Sequence, residues 1–226
     1  MPVSLAHEAA LWDAGATVVA GIDEVGRGAL AGPVTVGVCA VSRCATWPEG
    51  LADSKELTPA RREAMADALA GFGGTGFGVA RAVAHASPGE IDQLGIVGAL
   101  RLAGTRALEA IAASGVTVGA VLLDGKHDWL TPPAATLFDD SAPASSLPTP
   151  PVTTVIKGDS LCASIAAGSV LAKVERDALM TAAHDDHPEY GWAGNKGYGA
   201  AVHLDALRRL GATDLHRRSW SLPEPS

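Results

Sequence analysis

The chain has 226 residues, of which 47% are hydrophobic and 19% charged, and its formal net charge is −8. This length fits one domain with at most a small appendage, and the apolar fraction excludes a wholly disordered chain. The three cysteines include no C-x-x-C pair, which argues against a disulfide framework or a cysteine zinc site and predicts a cytoplasmic protein in a reducing compartment. The first 20 residues carry Glu8 and Asp13 but no basic segment, so they are not a signal peptide, and no run of 18 apolar residues is present to span a membrane.

Apolar runs and turn residues predict five strands. The first two, at 17–25 and 33–41, are separated by a Gly-rich turn and read as a hairpin. A third strand is predicted near 78–84. Two further runs, at 116–123 and 152–156, are short and apolar, as in buried strands.

Helices are predicted mainly in the second half of the chain. Thr58 followed by Pro59 predicts a helix start, because Thr is a good N-cap and Pro suits the first helical position. Capping signals and helical spacing then predict helices from Thr58 to about Ala70, after Ser87, and at 96–113, 161–184 and 199–210. The helix at 161–184 carries small residues that allow close packing on a neighbour. The class is therefore mixed α/β with a helical C-terminal part.

Acidic residues stand at or just past the ends of three predicted strands. Asp23 and Glu24 close the first strand, Asp124 closes a later one, and Asp159 follows another. If these strands lie side by side, the carboxylates converge. Two unit charges about 4 Å apart repel by about 4 kcal/mol at an effective dielectric of about 20, so such a cluster must protonate or hold cations. Mg²⁺ and Mn²⁺ prefer such oxygen ligands. The alternative, that the acids simply enter solvent or cap helices, stays open at this point.

Two Gly-rich segments allow more than one interpretation. Gly26-Arg27-Gly28 follows the first acidic pair and is either a turn whose N–H groups face a ligand or a tight turn between strands. The pattern Gly71-x-Gly73-x-x-Gly76 matches the dinucleotide fingerprint in letters. It stands between a helix and a strand in the reverse of the required order, so we interpret it as a flexible connector.

The charge distribution is uneven. A net charge of −8 argues against a nucleic-acid partner, because contacts to phosphates call for a basic surface. Residues 196–218, however, hold five Lys or Arg and only two Asp. This segment is either an edge that grips phosphates or a solvated helix face. Residues 131–151 contain six of the 14 prolines and predict a loop insertion rather than a domain.

The segment GIDEVGRGALAGPV, at 21–34, resembles the signature of bacterial ribonuclease HII. The likeness continues in the family's order over nearly the whole chain, through Asp53-Ser54-Lys55, Leu123-Asp124-Gly125, Ile156-Lys157-Gly158-Asp159, SIAAGSVLAKVERD at 164–177, Asn195-Lys196-Gly197-Tyr198-Gly199, His203 and His216-Arg217-Arg218-Ser219. The related HIII type carries an additional N-terminal domain and a Lys at the position of Arg27. The sequence is therefore similar to the HII type.

The resemblance implies a ribonuclease-H-like mixed sheet flanked by helices, with a helical C-terminal extension. It implies a catalytic core over 1–184 that includes the 131–151 loop, and a substrate-binding extension over 185–226. The implied activity is endonucleolytic cleavage of RNA in RNA–DNA hybrids and at single ribonucleotides embedded in duplex DNA. Two Mg²⁺ or Mn²⁺ ions would serve the hydrolysis and leave 5′-phosphate and 3′-hydroxyl ends. We expect a monomer with no membrane partner.

The resemblance also assigns roles to individual residues. Catalysis and metal binding fall to Asp23, Glu24, Asp124 and Asp159. Substrate binding falls to Gly26, Arg27 and Gly28 for the 2′-hydroxyl and phosphate, to Tyr198 for the junction sugar, and to Lys55, Lys196 and Arg218 for phosphates. Asp124 and Asp159 are 35 residues apart, so the assignment of Asp159 depends on its Lys-Gly-Asp motif. Asp177, deep in a predicted helix, is the alternative fourth acid.

Two other functions would have to be excluded. A non-catalytic module that binds RNA–DNA hybrids would use the same surface without cleaving the substrate. A nucleotide-dependent oxidoreductase would use one of the Gly-x-Gly segments and would need no divalent cation. Duplex DNA with one ribonucleotide, incubated with and without EDTA, separates the three hypotheses.

Overall fold

The structure is a computed structural model that describes residues 2–72, 76–133 and 147–225. Within these ranges one sheet contains five strands: β1 (Val18–Val25), β2 (Val34–Ser42), β3 (Ala80–Ala86), β4 (Ala120–Asp124) and β5 (Val152–Val155). Their spatial order is β3-β2-β1-β4-β5. The pairs β1–β2 and β2–β3 are antiparallel, whereas β1–β4 and β4–β5 are parallel. The carboxyl ends of β1, β4 and β5 therefore point to the same edge of the sheet.

The helices are α1 (Ala6–Asp13), α2 (Pro59–Gly71), α3 (Pro88–Ala113), α4 (Gly158–Leu161), α5 (Ala163–Asp186), α6 (Trp192–Asn195) and α7 (Ala201–Leu210), with a 3₁₀ turn at Pro188–Tyr190. The Thr58 side chain accepts a hydrogen bond from the Arg61 amide, as its predicted N-cap role requires. The two helices predicted from Ser87 to Ala113 are one element with a break at Gly95, whose backbone (φ 67°, ψ 166°) is not helical.

Several predicted boundaries differ from the structure. The strand predicted at 116–123 begins only at Ala120. The helix predicted to start at residue 161 starts at Ala163, and α4 precedes it as a separate turn. Helices α1 and α6 had no sequence prediction. Glu8 of α1 caps the start of α5 by accepting bonds from the amide (2.9 Å) and hydroxyl (2.6 Å) of Ser164.

The sheet is buried between helices on both faces. Ile22 and Leu123 lie in an apolar cluster with side chains of α3, whereas Val19 and Leu122 pack against residues of α5 on the other face. Helix α5 runs so close to β1 and β2 that a Cβ added at Gly37 would lie 2.1 Å from the carbonyl oxygen of Gly168. The small residues predicted to let this helix pack closely therefore do so, and the helix fixes the sheet from which the strand-end acids project.

A third apolar cluster holds the C-terminal elements together. Tyr190 and Trp192 stack with ring centroids 5.0 Å apart, and both contact the imidazoles of His203 and His216. The hydroxyl of Tyr190 donates to the Gly211 carbonyl at 2.8 Å. The division of the chain into 1–184 and 185–226 stays a prediction, and residue 184 lies in the last turn of α5.

Two predictions fall partly outside the described residues. The first is the dinucleotide-like pattern, because its Gly73 is not among the described residues. Helix α2 precedes this pattern and β3 follows it, which is the predicted order. The second is the Pro-rich 131–151 insertion, of which residues 134–146 are not described. No helix in the described part of the chain is both long and apolar enough to cross a membrane.

Candidate active site

The strand-end acids meet at one edge of the sheet because β1, β4 and β5 are neighbours, which the sequence analysis had left as a condition. Ile22 of β1 pairs with Leu123 of β4, and Asp124 pairs with Val155 of β5, so the three strand ends are aligned. The negative charge of Asp124 acts on both Asp23 and Glu24, and the charge of Asp159 acts on Asp124. The four carboxylates thus form one electrostatic cluster.

Of the two acids at the end of β1, Asp23 is the more deeply buried. It is only 4% exposed, and burial raises its pKa from 3.8 to about 8, with further increases from the charges of Asp124 and Glu24. The Ser169 hydroxyl of α5 and the Glu24 amide act against this rise, and the amide donates to Asp23 Oδ1 at 2.7 Å. Burial outweighs them because no ion pair with Asp23 forms among the residues that the structure describes.

Glu24 lies beside Asp23 and next to Arg27. Burial raises its pKa, while a hydrogen bond from Arg27 lowers it. Arg27 Nη1 lies 3.2 Å from Glu24 Oε1. The charge of Asp124 raises the pKa of Glu24 further, and Trp129 makes a smaller contribution that lowers it.

Asp124 and Asp159 are joined by the turn that follows β5. The Gly158 amide donates to Asp124 Oδ1 at 2.7 Å, and the Asp159 amide approaches the same oxygen at 3.4 Å. Lys157 adopts a left-handed conformation (φ 58°), which turns these amides toward Asp124. The pKa of Asp124 is raised by burial and then by the Asp159 charge. The Lys-Gly-Asp motif therefore brings Asp159 to Asp124 in spite of the 35-residue separation.

Lys55 supplies the positive charge of the cluster. Its Nζ lies 2.7 Å from Asp159 Oδ2 and 3.8 Å from Asp53 Oδ1. Burial lowers the pKa of the Lys55 ammonium, but the bond to Asp159 and the charges of Asp53 and Asp23 outweigh burial and raise it. Sequence reasoning predicted a phosphate contact for Lys55, and the structure places it directly on a candidate catalytic carboxylate.

The cluster fits hard divalent cations by its chemistry. It offers carboxylate oxygens, and three of its members have pKa values raised by burial and mutual repulsion, which a cation would relieve. Within residues 2–72, 76–133 and 147–225, no three His, Cys, Asp or Glu side chains are already arranged as ligands around one point. Their oxygens instead face Lys55, Arg27 and backbone amides, and these partners would have to yield some of the oxygens to a cation.

The Gly26-Arg27-Gly28 turn lies next to the acids, and a buried arginine holds its backbone. Arg217, which is fully buried, donates to the carbonyls of Gly26 (2.6 Å) and Arg27 (2.9 Å). Gly26 has a φ of 85°, and a Cβ there would lie 2.0 Å from Nε of Arg176. Apart from its chain neighbours, no atom of the described residues lies within 4 Å of a Cβ built at Gly28, so this position is open to a ligand.

Tyr198 adjoins this turn through Arg176. The Arg176 guanidinium lies 5.6 Å from the centroid of the Tyr198 ring and donates to the carbonyls of Ala31, Pro33 and Lys196. Tyr198 itself is 39% exposed, so its ring remains available. Its carbonyl bonds to His203 Nδ1 at 2.8 Å, which ties it to the buried aromatic cluster.

Three further residues named in the sequence analysis, Lys196, Arg218 and Asp177, bond to groups other than the four acids. Lys196 Nζ donates to the Thr181 hydroxyl and to the Ala193 carbonyl, both at 2.6 Å. The Arg218 guanidinium pairs with Asp214 at 2.8 Å on the surface. Asp177, the alternative fourth acid, pairs with Lys173 at 2.7 Å and Arg62 at 3.6 Å, an arrangement that fits a structural role.

Three residues of this site had no role in the sequence predictions. Arg176 and Arg217 lie within recognisable motifs, and their type alone suggests an exposed phosphate contact, but both are buried and hold backbone carbonyls. Burial lowers the pKa of Arg217 to about 10, with a further contribution from the Arg176 charge. Trp129 carries no motif, and only its position five residues after Asp124 points to the site.

The chain is similar to known proteins over most of its length. The sequence model of a family described as Ribonuclease HII matches residues 20–222. A Ribonuclease HII from Streptomyces avermitilis is 47% identical over 207 residues, which cover 92% of this chain and 78% of the relative. The fold is similar to the crystal structure of ribonuclease H2 from Pyrococcus horikoshii (TM-score 0.64, 22% identity, 90% of this chain and 94% of that one). It is also similar to Bst-RNase HIII solved in complex with Mn²⁺ (TM-score 0.63, 21% identity, 92% and 68%).

Proposed function

Because this chain belongs to the ribonuclease HII family, we propose that Asp23, Glu24, Asp124 and Asp159 are the carboxylates with which it cleaves RNA. As a member of this family, the protein is an endoribonuclease of the ribonuclease H class that acts on RNA–DNA hybrids. Beyond this activity, we propose which residues catalyse the reaction, that divalent cations are the cofactors, and that the protein also cleaves at single ribonucleotides embedded in duplex DNA.

The observation that carries the proposal is the alignment of three parallel strand ends, each with an acid at or near its terminus. Asp23, Glu24 and Asp124 all have raised pKa values because burial and mutual repulsion disfavour their charged forms. A protein that stores this much unfavourable charge at one edge gains from cations there. The Mn²⁺ bound by the HIII protein of similar fold supports the choice of Mg²⁺ or Mn²⁺.

In this mechanism the four carboxylates would hold the cations. Bound divalent cations would supply an acidified water for the attack and charge neutralisation at the leaving 3′ oxygen, which would give 5′-phosphate and 3′-hydroxyl products. Asp23 is held by the Glu24 amide and Asp124 by the Gly158 amide, so their oxygens are oriented in advance. Lys55 bonds to Asp159 and balances part of the charge until the substrate arrives.

Selectivity for RNA requires a group that reads the 2′-hydroxyl. The turn at Gly26-Arg27-Gly28 can bring its backbone to the sugar because Gly28 adds no side chain and faces open space. The exposed ring of Tyr198 lies near this turn and can stack on the next deoxyribose, where a second 2′-hydroxyl would clash. This arrangement favours cleavage at a junction between RNA and DNA.

The test uses duplex DNA that carries one ribonucleotide, with Mg²⁺ or Mn²⁺ and with EDTA. The proposal predicts a nick in the strand that carries the ribonucleotide and at that ribonucleotide, with 3′-hydroxyl and 5′-phosphate ends, and no nick in EDTA. Tight binding with intact substrate after hours in Mn²⁺ would show a binding module instead. Cleavage that persists in EDTA would refute the cation requirement.

A further inference from the structure

Two buried histidines form a hydrogen-bonded pair next to Tyr198. His203 of α7 and His216 are both buried, and their Nε2 atoms lie 3.0 Å apart. On the other side of its ring, His203 Nδ1 lies 2.8 Å from the Tyr198 carbonyl oxygen. His216 Nδ1 lies 2.9 Å from the amide nitrogen of Thr213. A continuous chain of hydrogen bonds therefore runs from Thr213 through both imidazoles to Tyr198.

The partners in this chain determine where each imidazole carries its proton. A backbone amide can only donate, so His216 Nδ1 accepts from Thr213 and the His216 proton is on Nε2. The indole nitrogen of Trp192 lies 3.3 Å from His203 Nε2 and can also only donate. His203 Nε2 therefore accepts from the indole and from His216, and its own proton is on Nδ1, where it donates to the Tyr198 carbonyl.

This arrangement holds only while both imidazoles are neutral. A proton added to His203 Nε2 would face the N–H groups of His216 and Trp192, and a proton added to His216 Nδ1 would face a backbone amide. Burial lowers the pKa of both imidazoles. The pKa of His216 is lowered further by the charges of His203, His187 and Arg218. The pair is therefore a neutral connection with one defined direction.

At one end, the pair holds the backbone that carries the Tyr198 side chain. The two preceding residues, Lys196 and Gly197, have φ values of 52° and 85°, so the chain turns sharply just before the tyrosine. The Tyr198 carbonyl accepts from the amide of Ala200 at 2.8 Å and from His203 of α7. Because the Tyr198 ring is exposed, its position depends on the backbone that these bonds hold.

At the other end, His216 belongs to the segment that holds the Gly26-Arg27-Gly28 turn. It forms an isolated antiparallel β-bridge with Ala31. The next residue, Arg217, donates to two carbonyls of the turn. The bond between the imidazoles therefore joins the residues around Tyr198 to the support of the turn, and both of these groups are proposed to read sugars of the substrate.

We propose that His203 and His216 are a positioning pair that holds Tyr198 at a fixed place relative to the Gly26-Arg27-Gly28 turn and thereby sets the preference for RNA–DNA junctions. The inference rests on the proposed role of Tyr198 in reading the junction sugar. The hydrogen bonds of the pair lead to Tyr198 and not to the acids, so loss of the pair should change substrate preference more than the cleavage step. A displacement of about 1 Å in a positioning group can cost about 100-fold in rate.

The first test compares kcat/KM for duplex DNA with one ribonucleotide to kcat/KM for a continuous RNA–DNA hybrid. His203→Leu removes the donor to the Tyr198 carbonyl and should lower the ratio of these two values about tenfold. His203→Asn keeps a side-chain N–H close to the position of Nδ1, and it should bring the ratio back toward that of the wild type. No recovery in His203→Asn would contradict the role of this hydrogen bond.

The matched control is His85→Leu. His85 of β3 also joins two other elements through its ring, with Thr35 Oγ1 and Glu175 Oε1 each at 2.8 Å, but its hydrogen bonds do not lead to Tyr198. Its removal should leave the substrate ratio unchanged, even if it lowers stability. An equal fall of the ratio in His85→Leu would overturn the inference, because any loss of side-chain contacts would then have the same effect.

The second test needs no variant and therefore does not depend on whether His203→Leu folds. Nitrogen-15 NMR of the imidazole rings at pH 7 reports which nitrogen carries each proton. We expect His203 to be protonated on Nδ1 and His216 on Nε2. The opposite tautomer at either position, or a doubly protonated ring, would overturn the inference.

Tyr198→Ala separates this inference from the proposed function. If the substrate ratio falls in Tyr198→Ala and is unchanged in His203→Leu, the role of the histidine pair is refuted and that of Tyr198 stands. If the ratio is unchanged in Tyr198→Ala, the proposed reading of the junction sugar is itself refuted.

Discussion

Replacing Asp23 with asparagine should make the protein more stable at neutral pH while it removes activity. In the absence of divalent cations, burial raises the Asp23 pKa from 3.8 to about 8, so the carboxyl must take up a proton when the chain folds at pH 7. At 1.36 kcal/mol per pH unit, the interval from 3.8 to pH 7 costs about 4 kcal/mol. Asparagine removes this cost, and its side-chain oxygen can still accept from the Glu24 amide.

The effect has a definite pH dependence. Below about pH 4, the carboxyl of Asp23 is protonated in both the folded and the unfolded chain, so its charge does not affect stability. Because the folded pKa is raised, stability is lost as pH rises from about 4 to about 8, and the loss is complete above the folded pKa. The advantage of Asp23→Asn should therefore be absent near pH 4 and approach its full size near pH 8.

The assay is urea unfolding in EDTA at pH 4, 7 and 8, repeated at pH 7 with Mg²⁺. The control is Asp13→Asn, which removes an exposed carboxylate paired with Arg43 and should change stability by less than about 1 kcal/mol. Mg²⁺ should stabilise the wild type more than Asp23→Asn. A variant less stable than the wild type at pH 7 in EDTA, or a gain equally large at pH 4, would refute the reasoning.

Three further predictions concern the rest of the site. Asp124→Asn should lower hybrid cleavage at least about a hundredfold while circular dichroism stays unchanged, since it deletes charge and little volume; near-normal cleavage would contradict its role. Tyr198→Ala should reduce cleavage at an isolated ribonucleotide more than binding of plain duplex DNA, and equal losses would count against a role in sensing the junction. Burial, then the charge of His203, lowers the His216 pKa to about 4, so unfolding free energy should fall from pH 6.5 to pH 4. That fall should be smaller in His216→Gln, with both proteins measured in the Asp23→Asn background, and an equal fall would contradict the assignment.

The positions of the acids at strand ends were predictable because the end of an apolar run marks the end of a strand in the sequence. Asp23 and Asp124 each end an apolar run, and parallel neighbours bring such ends to one edge. Whether β1, β4 and β5 are in fact neighbours is a property of the topology, which periodicity alone does not give. The family resemblance implied only that the acids share one site, and the strand order that brings them together comes from the structure.

The supporting contacts were not predictable from sequence, because they join residues far apart in the chain. Arg217 reaches Gly26 across 191 positions, and Lys55 reaches Asp159 across 104. An arginine or lysine in a motif suggests a surface contact to phosphate, since such side chains are seldom fully buried. Only the packing of α5 and the C-terminal segment shows that Arg176 and Arg217 instead bind carbonyls of the glycine turn and its neighbours.

The central claim is that the strand-end carboxylates bind divalent cations. Crystals soaked in Mn²⁺ and measured at a wavelength where manganese scatters anomalously test it most directly. We predict an anomalous peak among the carboxylates of Asp23, Glu24, Asp124 and Asp159, with the Lys55 ammonium displaced from Asp159, and no such peak in crystals of Asp124→Asn. Manganese bound only elsewhere on the molecule, in crystals of a protein that cleaves the hybrid, would contradict the account.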